Sequence, residues 1–157
     1  MHKLSLAFLL ATLITASLAE AASYQKTDGS LVDPILDNWG TTHWYGGANL
    51  EPFANLPYAD LSYANLREAD LEGATLTEAY MSNAKLQNAD LSGADLTDAQ
   101  LTAAVAHGAR LRGATLAGAD MRGISARDVD LESADLRGAD LRDAELTNAV
   151  LLEADLS

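Results

Sequence analysis

The sequence predicts an all-β fold of an uncommon kind, a quadrilateral β-helix in which the chain turns a corner every five residues. Three observations predict it. From Ala54 to Leu156 a phrase of Ala, commonly Asp or Asn, then Leu and two variable residues recurs without slipping. Its twenty-one centres open with Leu56, Leu61, Leu66 and Leu71 and stay in phase to Leu156; seventeen are Leu, the others Met81, Ala106, Met121 and Ala126. Ala stands two residues before the centre in nineteen of them, replaced only by Ile124 and Val129. Finally, departures from the phrase return after twenty residues: Ala106 with Ala126, Gly73 with Gly93 and Gly113, Arg122 with Arg142. A fixed internal period of this kind decides the architecture before any local propensity does.

A period of five suits neither common element. On an α-helix successive centres would fall about 140° apart and smear around the cylinder, so no apolar stripe forms. On a flat strand, whose side chains alternate, an odd spacing sends every second Leu to the wrong face. Turning once per repeat keeps every Leu and Ala inside. Four sides close a square, and coils then stack about 4.8 Å apart, the hydrogen-bonding distance between strands. About five coils result, with a length of about 25 Å. In this stack Ile124 refills volume lost at Ala126, Arg110 pairs with Asp130, and Arg112 pairs with Glu132. Ordering five residues costs about 5–10 kcal/mol, whereas burying one Leu returns about 1.5–3. No repeat stands alone, so stability must come from neighbouring coils.

Ala59-Asp60-Leu61, Ala89-Asp90-Leu91 and Ala139-Asp140-Leu141 match the Ala-(Asp/Asn)-Leu-x-x unit, and residues 54–156 resemble the pentapeptide-repeat family. The resemblance implies a right-handed β-helix with Leu at the centre and Ala beside it, both inward. It implies no shared activity. Some members of the family resemble duplex DNA in width and charge and bind DNA gyrase or related topoisomerases. On that analogy Asp60, Asp70, Asp90, Asp95, Asp120, Asp130, Asp135 and Asp140 would form part of a DNA-like surface.

Before the repeats the composition changes. Met1-His2-Lys3 is followed by Leu4–Leu18, free of charge, and then by Ala19-Glu20-Ala21. Residues 1–21 read as a secretory signal cut after Ala21, the apolar run being shorter than the about 20 residues of a membrane span. The mature protein is then exported, periplasmic or secreted, with no membrane span. With no cysteine, it is neither a disulfide scaffold nor lipidated through a thiol. Residues 22–47 hold Tyr24, Trp39, Trp44 and Tyr45 outside the repeat phase, with turn signals at Thr27-Asp28-Gly29-Ser30 and Asp33-Pro34. They read as an N-terminal aromatic cap over the first coil, or as a ligand surface in which Trp39, Trp44 and Tyr45 stack on sugars. The solenoid spans 48–157. Ala48 to Ala54 is six residues, so a bulge is expected near Pro52.

The chain carries a net charge of −13. The excess is greater in residues 22–105, with three basic and twelve acidic groups, than in 106–157, with six and ten. Such acidity opposes direct nucleic-acid binding and favours solubility. Catalysis has little support. Among the repeats there is one histidine, His107, between Gln87 and Arg127 across coils. Glu68, Asp70, Glu72 and Asp90 form an acidic patch without the glycine-turned loop of a tight Ca²⁺ site. No zinc spacing or phosphate loop occurs. The expected function is a noncatalytic exported scaffold or protein-interaction module, without cofactor or metal, whose partner is a protein. A gyrase-directed DNA mimic is the alternative if the chain is not exported, and a glycan-binding module through the cap is a weaker one. Val150 and Leu152, outward beside Leu151, together with Leu156, mark the last coil as a contact for a weak homodimer.

Overall fold

The computed structural model describes the backbone of Tyr24–Gln25 and Leu31–Val32, and residues 50–157 in full. The two short segments, β1 (Tyr24–Gln25) and β2 (Leu31–Val32), pair antiparallel with Tyr24 opposite Val32. They bracket Thr27–Ser30, where the sequence places a turn.

From Asn55 onward the chain is a four-sided coil. Each side contributes one residue to a parallel bridge with its counterpart twenty residues on, from Asn55 with Thr75 to Asp135 with Asp155. The sides are too short to be strands in their own right. The first carries Asn55, Thr75, Asp95, Thr115, Asp135 and Asp155; the second carries Asp60, Tyr80, Gln100, Asp120 and Asp140. Asn65, Lys85, Val105, Ser125 and Glu145 make the third, and Asp70, Asp90, Arg110, Asp130 and Val150 the fourth.

One repeat shows how the backbone is satisfied. Leu91 N–H donates to Arg110 C=O at 2.7 Å and Gly93 N–H to Arg112 C=O at 2.9 Å, both on the following coil. Asp95 N–H donates back to Ala74 C=O at 2.9 Å. Ala94 N–H closes the corner on Leu91 C=O at 3.0 Å. The remaining donor, Ser92 N–H, is taken by the Asp90 side chain at 3.0 Å. All five donors thus have acceptors, as buried or half-buried backbone requires. Pro57 occupies the position of Ser92 in its own repeat. There the N–H takes no part in the coil-to-coil ladder, so proline costs little.

The corner is a turn with a left-handed residue at its third position, Gly93 at φ 66°, the arrangement of a type II turn. All seven glycines of residues 50–157 stand at this position, and Asn and Asp, which tolerate it, stand at several more. Phe53, Tyr58, Tyr63, Glu68, Glu78, Ala103, Ser133 and Glu153 adopt it as well. For them the side chain crowds the following carbonyl.

Inside, the centres from Leu56 to Leu136 and the residues two before them from Ala59 to Ala134 are buried, with Met81 and Met121 on one side separated by Leu101, and Ala106 and Ala126 adjacent on another. Ile124 is fully buried beside them. At the beginning the irregularity falls at Leu50–Glu51, beside Pro52. Leu50 fills the core one position early and Glu51 is exposed, while Glu51–Ala54 is already a regular corner with Phe53 at φ 61°. The physical reason is that the turn keeps its five-residue phase while only the apolar position slips. Of the Arg pairs, Arg112 chelates Glu132 as expected, at 2.6 and 2.7 Å. Arg110 does not pair with Asp130. It lies between Asp90 and Asp130 in the ladder and chelates Asp90, through Nε at 2.9 Å and Nη2 at 2.7 Å. A twenty-residue period is symmetric, so it does not choose between the two neighbours.

The corner geometry gives a prediction. Ala103, at φ 55°, pays a steric penalty of about 1–2 kcal/mol, against about 0.4–1 for the freer unfolded chain of a glycine. Ala103→Gly is expected to stabilise by about 1 kcal/mol or less, and Gly93→Ala, where a Cβ meets nothing within 4 Å, to destabilise by a similar amount. Thermal melts of the two variants check the sign.

Candidate interaction surface

The expected acidic surface is built, but its chemistry is first of all structural. Asp60, Asp70, Asp90, Asp95, Asp120, Asp130, Asp135 and Asp140 each accept the backbone N–H two residues on, at 3.0 to 3.4 Å. This Asx arrangement supplies an acceptor to the one backbone donor that the coil-to-coil ladder does not use. The repeat therefore has a local reason to place Asp there, independent of any partner.

Half of these carboxylates are also neutralised. Arg122 returns to Asp120 at 2.8 and 2.7 Å and approaches Asp140 at 3.8 Å. Arg137 does the same with Asp135, near Asp155, and Arg142 with Asp140. With Arg110 on Asp90, Arg112 on Glu132 and Arg127 on Glu145 at 2.7 Å, all six arginines of residues 106–157 are paired. The Arg122 hydrogen bond holds the Asp120 carboxyl down at about 2. Arg137, Arg142 and Arg127 lower Asp135, Asp140 and Glu145 in the same way. Asp95 is lowered by the Thr97 hydroxyl, which donates to it at 2.6 Å. For Asp90, burial opposes ionisation, and the hydrogen bonds from Ser92 and Arg110 overcome it.

The other sequence-stated positions fall as follows. His107 Nδ1 accepts Arg127 N–H at 3.2 Å, a contact within the solenoid wall, and Gln87 Oε1 is buried without a partner. Asp70 and Asp90 are engaged as above, and among the described residues no three acidic or histidine side chains converge to hold a metal ion. Val150, Leu152 and Leu156 are exposed, and so is Leu151 between them. Trp39, Trp44 and Tyr45, residues 1–21 and His43 lie outside the described residues.

One group escaped the reading of the sequence. Every aromatic residue of 50–157 lies in the first coil and a half: Phe53, Tyr58, Tyr63 and Tyr80, exposed by 73, 61, 37 and 43 %. Phe53, Tyr58 and Tyr63 occupy three successive corners at φ 61°, 60° and 64°. Phe53 lies over Gly73, where any Cβ would come within 2.5 Å of the ring. Tyr58 is hydrogen-bonded to the Glu78 carboxylate, whose charge pushes the phenol up. The signal was present: three aromatics recur at five-residue spacing on the second variable position, where glycine is otherwise the commonest residue.

A four-sided coil with Leu and Ala inside, a left-handed corner every five residues and a twenty-residue ladder defines a right-handed β-helical solenoid. The chain belongs to the pentapeptide repeat family, whose model matches residues 54–93, 94–132 and 127–157. Similar solved structures include the pentapeptide repeat protein Rfr23 from the cyanobacterium Cyanothece 51142, at 27 % identity over 68 % of this chain and 83 % of that one, with a TM-score of 0.37. QnrB1, a plasmid-mediated fluoroquinolone resistance protein, is similar at 23 % identity over 69 % and 66 %, with a TM-score of 0.44. HetL of Nostoc sp. strain PCC 7120, involved in heterocyst differentiation regulation, is similar at 28 % identity over 66 % and 70 %, with a TM-score of 0.29. No curated protein matches the chain.

The arginine pairs make a prediction about acid. Carboxyls whose folded values are depressed contribute stability that is fully present above their unfolded values, about 4, and lost as pH falls through the folded ones. For Asp120 that window closes at about 2. The stability advantage of the wild type over Arg122→Gln is expected to be constant from neutral pH to about 5 and to vanish toward pH 2. Paired melts across that range measure it. The pair is partly exposed, so the advantage is small and shrinks in salt.

Proposed function

We propose that the chain is a noncatalytic exported scaffold that binds a protein partner through a face of its solenoid. The observation that carries this reading is the construction of the surface. Side chains on the four sides are fixed by Asx bonds and ion pairs on a backbone that is itself held by a coil-to-coil hydrogen-bond ladder. Such a wall presents a pre-organised pattern at little entropic cost to binding. Export is supported by Lys3, the apolar run Leu4–Leu18 and the Ala19-Glu20-Ala21 triplet, and an aromatic cap over about five coils by the composition of residues 22–47. Fractionation with intact-mass analysis is expected to find a periplasmic or secreted protein beginning at Ala22. A cytoplasmic protein retaining Leu4–Leu18 would sink the export reading and revive the gyrase-directed mimic, which a supercoiling assay then tests. Pull-down from the matching extract identifies the partner; recovery of none speaks against an interaction module. The neutralisation of Asp90, Asp120, Asp135 and Asp140 by arginine weighs against the mimic. The glycan reading, through Trp39, Trp44 and Tyr45, is tested on a glycan array with Trp39→Ala and Trp44→Ala.

A weak homodimer through the C-terminal coil is the second proposal, supported by the exposure of Val150, Leu151, Leu152 and Leu156 together. The area available is below the roughly 1,200 Å² of standard interfaces, so micromolar affinity is expected. Light scattering over a concentration series should show the dimer giving way to monomer, with Leu152→Asp shifting the transition to higher concentration. A monomer throughout would refute it.

A further inference from the structure

We propose that the N-terminal end of the second side, where Tyr58, Tyr63 and Tyr80 surround Asp60 and Glu78, docks a lysine- or arginine-rich segment of a protein partner. The proposal rests on the reading of the chain as an interaction module and names the chemistry of its partner.

Four observations carry it. First, the core of residues 50–157 is Leu, Ala, Met, Ile and Val without an aromatic ring, and the four aromatics of that stretch are all exposed and all near one end. Second, Tyr58 and Tyr63 sit at φ 60° and 64° in corners where seven equivalent positions hold glycine. A bulky residue is an outlier there, and such strain persists where it serves a site. Third, the geometry gathers them. The two tyrosines flank one side of the coil, Asp60 stands between them, and Tyr80 is bridged to Asp60 from the next coil. Tyr58 is tied to Glu78, two residues before Tyr80. Fourth, residues 50–80 carry six carboxylates and one basic side chain, Arg67.

Aromatic faces attract ammonium and guanidinium groups, and neighbouring carboxylates add to that attraction. The chain's own segment 22–49 is a poor match, since it bears Lys26 against Asp28, Asp33 and Asp37. A cationic peptide fits both the rings and the charge.

The test uses the full chain and a fluorescein-labelled arginine–serine repeat peptide in an anisotropy titration. Tyr58→Gly combined with Tyr63→Gly changes no charge; it is expected to weaken binding about tenfold while leaving the melting temperature unchanged or raised. Loss of binding without loss of stability separates a docking role from a structural one. Asp128→Asn combined with Glu153→Gln removes two negative charges farther along the solenoid and should leave the affinity within about twofold. Equal binding by wild type and the glycine variant overturns the proposal, as does a loss that follows net charge alone. Binding of a chitin oligosaccharide in place of the peptide overturns it too. A partner recovered by pull-down that binds the glycine variant undiminished overturns the patch and leaves the interaction module standing.

Discussion

The structure depends on the corner that closes every five residues. Each corner places one residue in the left-handed region, as at Gly93 or Asn148, and turns the next Ala–x–Leu unit inward. Without it the odd period would send alternate leucines into water. With it the chain meets itself after twenty residues and Leu91 finds Arg110 as its backbone partner. Local strain and long-range pairing are therefore one device. The backbone bonds between coils offset the crowding at positions such as Ala103 or Ser133, which no glycine relieves.

The same constraint explains the surface. A β-helix of this kind leaves one backbone donor per repeat outside its ladder, and where an Asp stands before the central Leu it accepts that donor. Asp130 shows that bond with no arginine on it among the described residues. Acidity in such a solenoid is thus partly a by-product of folding, and a DNA-like charge distribution cannot be inferred from a tally of Asp residues. More telling are positions that work against the fold. Tyr58 and Tyr63 hold bulky side chains where glycine is favoured, and they are exposed. Arginine is concentrated on the opposite half, where Arg122, Arg137 and Arg142 fold back on their own aspartates. The two ends of the solenoid therefore present different chemistry, one aromatic and acidic, the other balanced by ion pairs.

The architecture was legible in the sequence because repeats convert a long-range problem into a local one. Once Leu56 and Leu61 are known to face inward, every later centre follows, and the pairing of Arg112 with Glu132 follows from the twenty-residue return. The interaction surface was less legible. Trp39, Trp44 and Tyr45 stand out by composition, whereas Phe53, Tyr58 and Tyr63 are camouflaged by being in phase. Their meaning emerges only when their position is known to be left-handed.

The sequence by itself determined the coil, its period, the inward positions and the uneven charge, because burial of an apolar residue every five positions admits one solution. Only the tertiary structure decided that Arg110 turns to Asp90, that Leu50 enters the core in place of Glu51, and that Tyr80 joins Asp60 between two tyrosines. Those are choices between neighbours that the period treats as equivalent. They are settled by where side chains meet across coils, and that information is not carried by any one repeat.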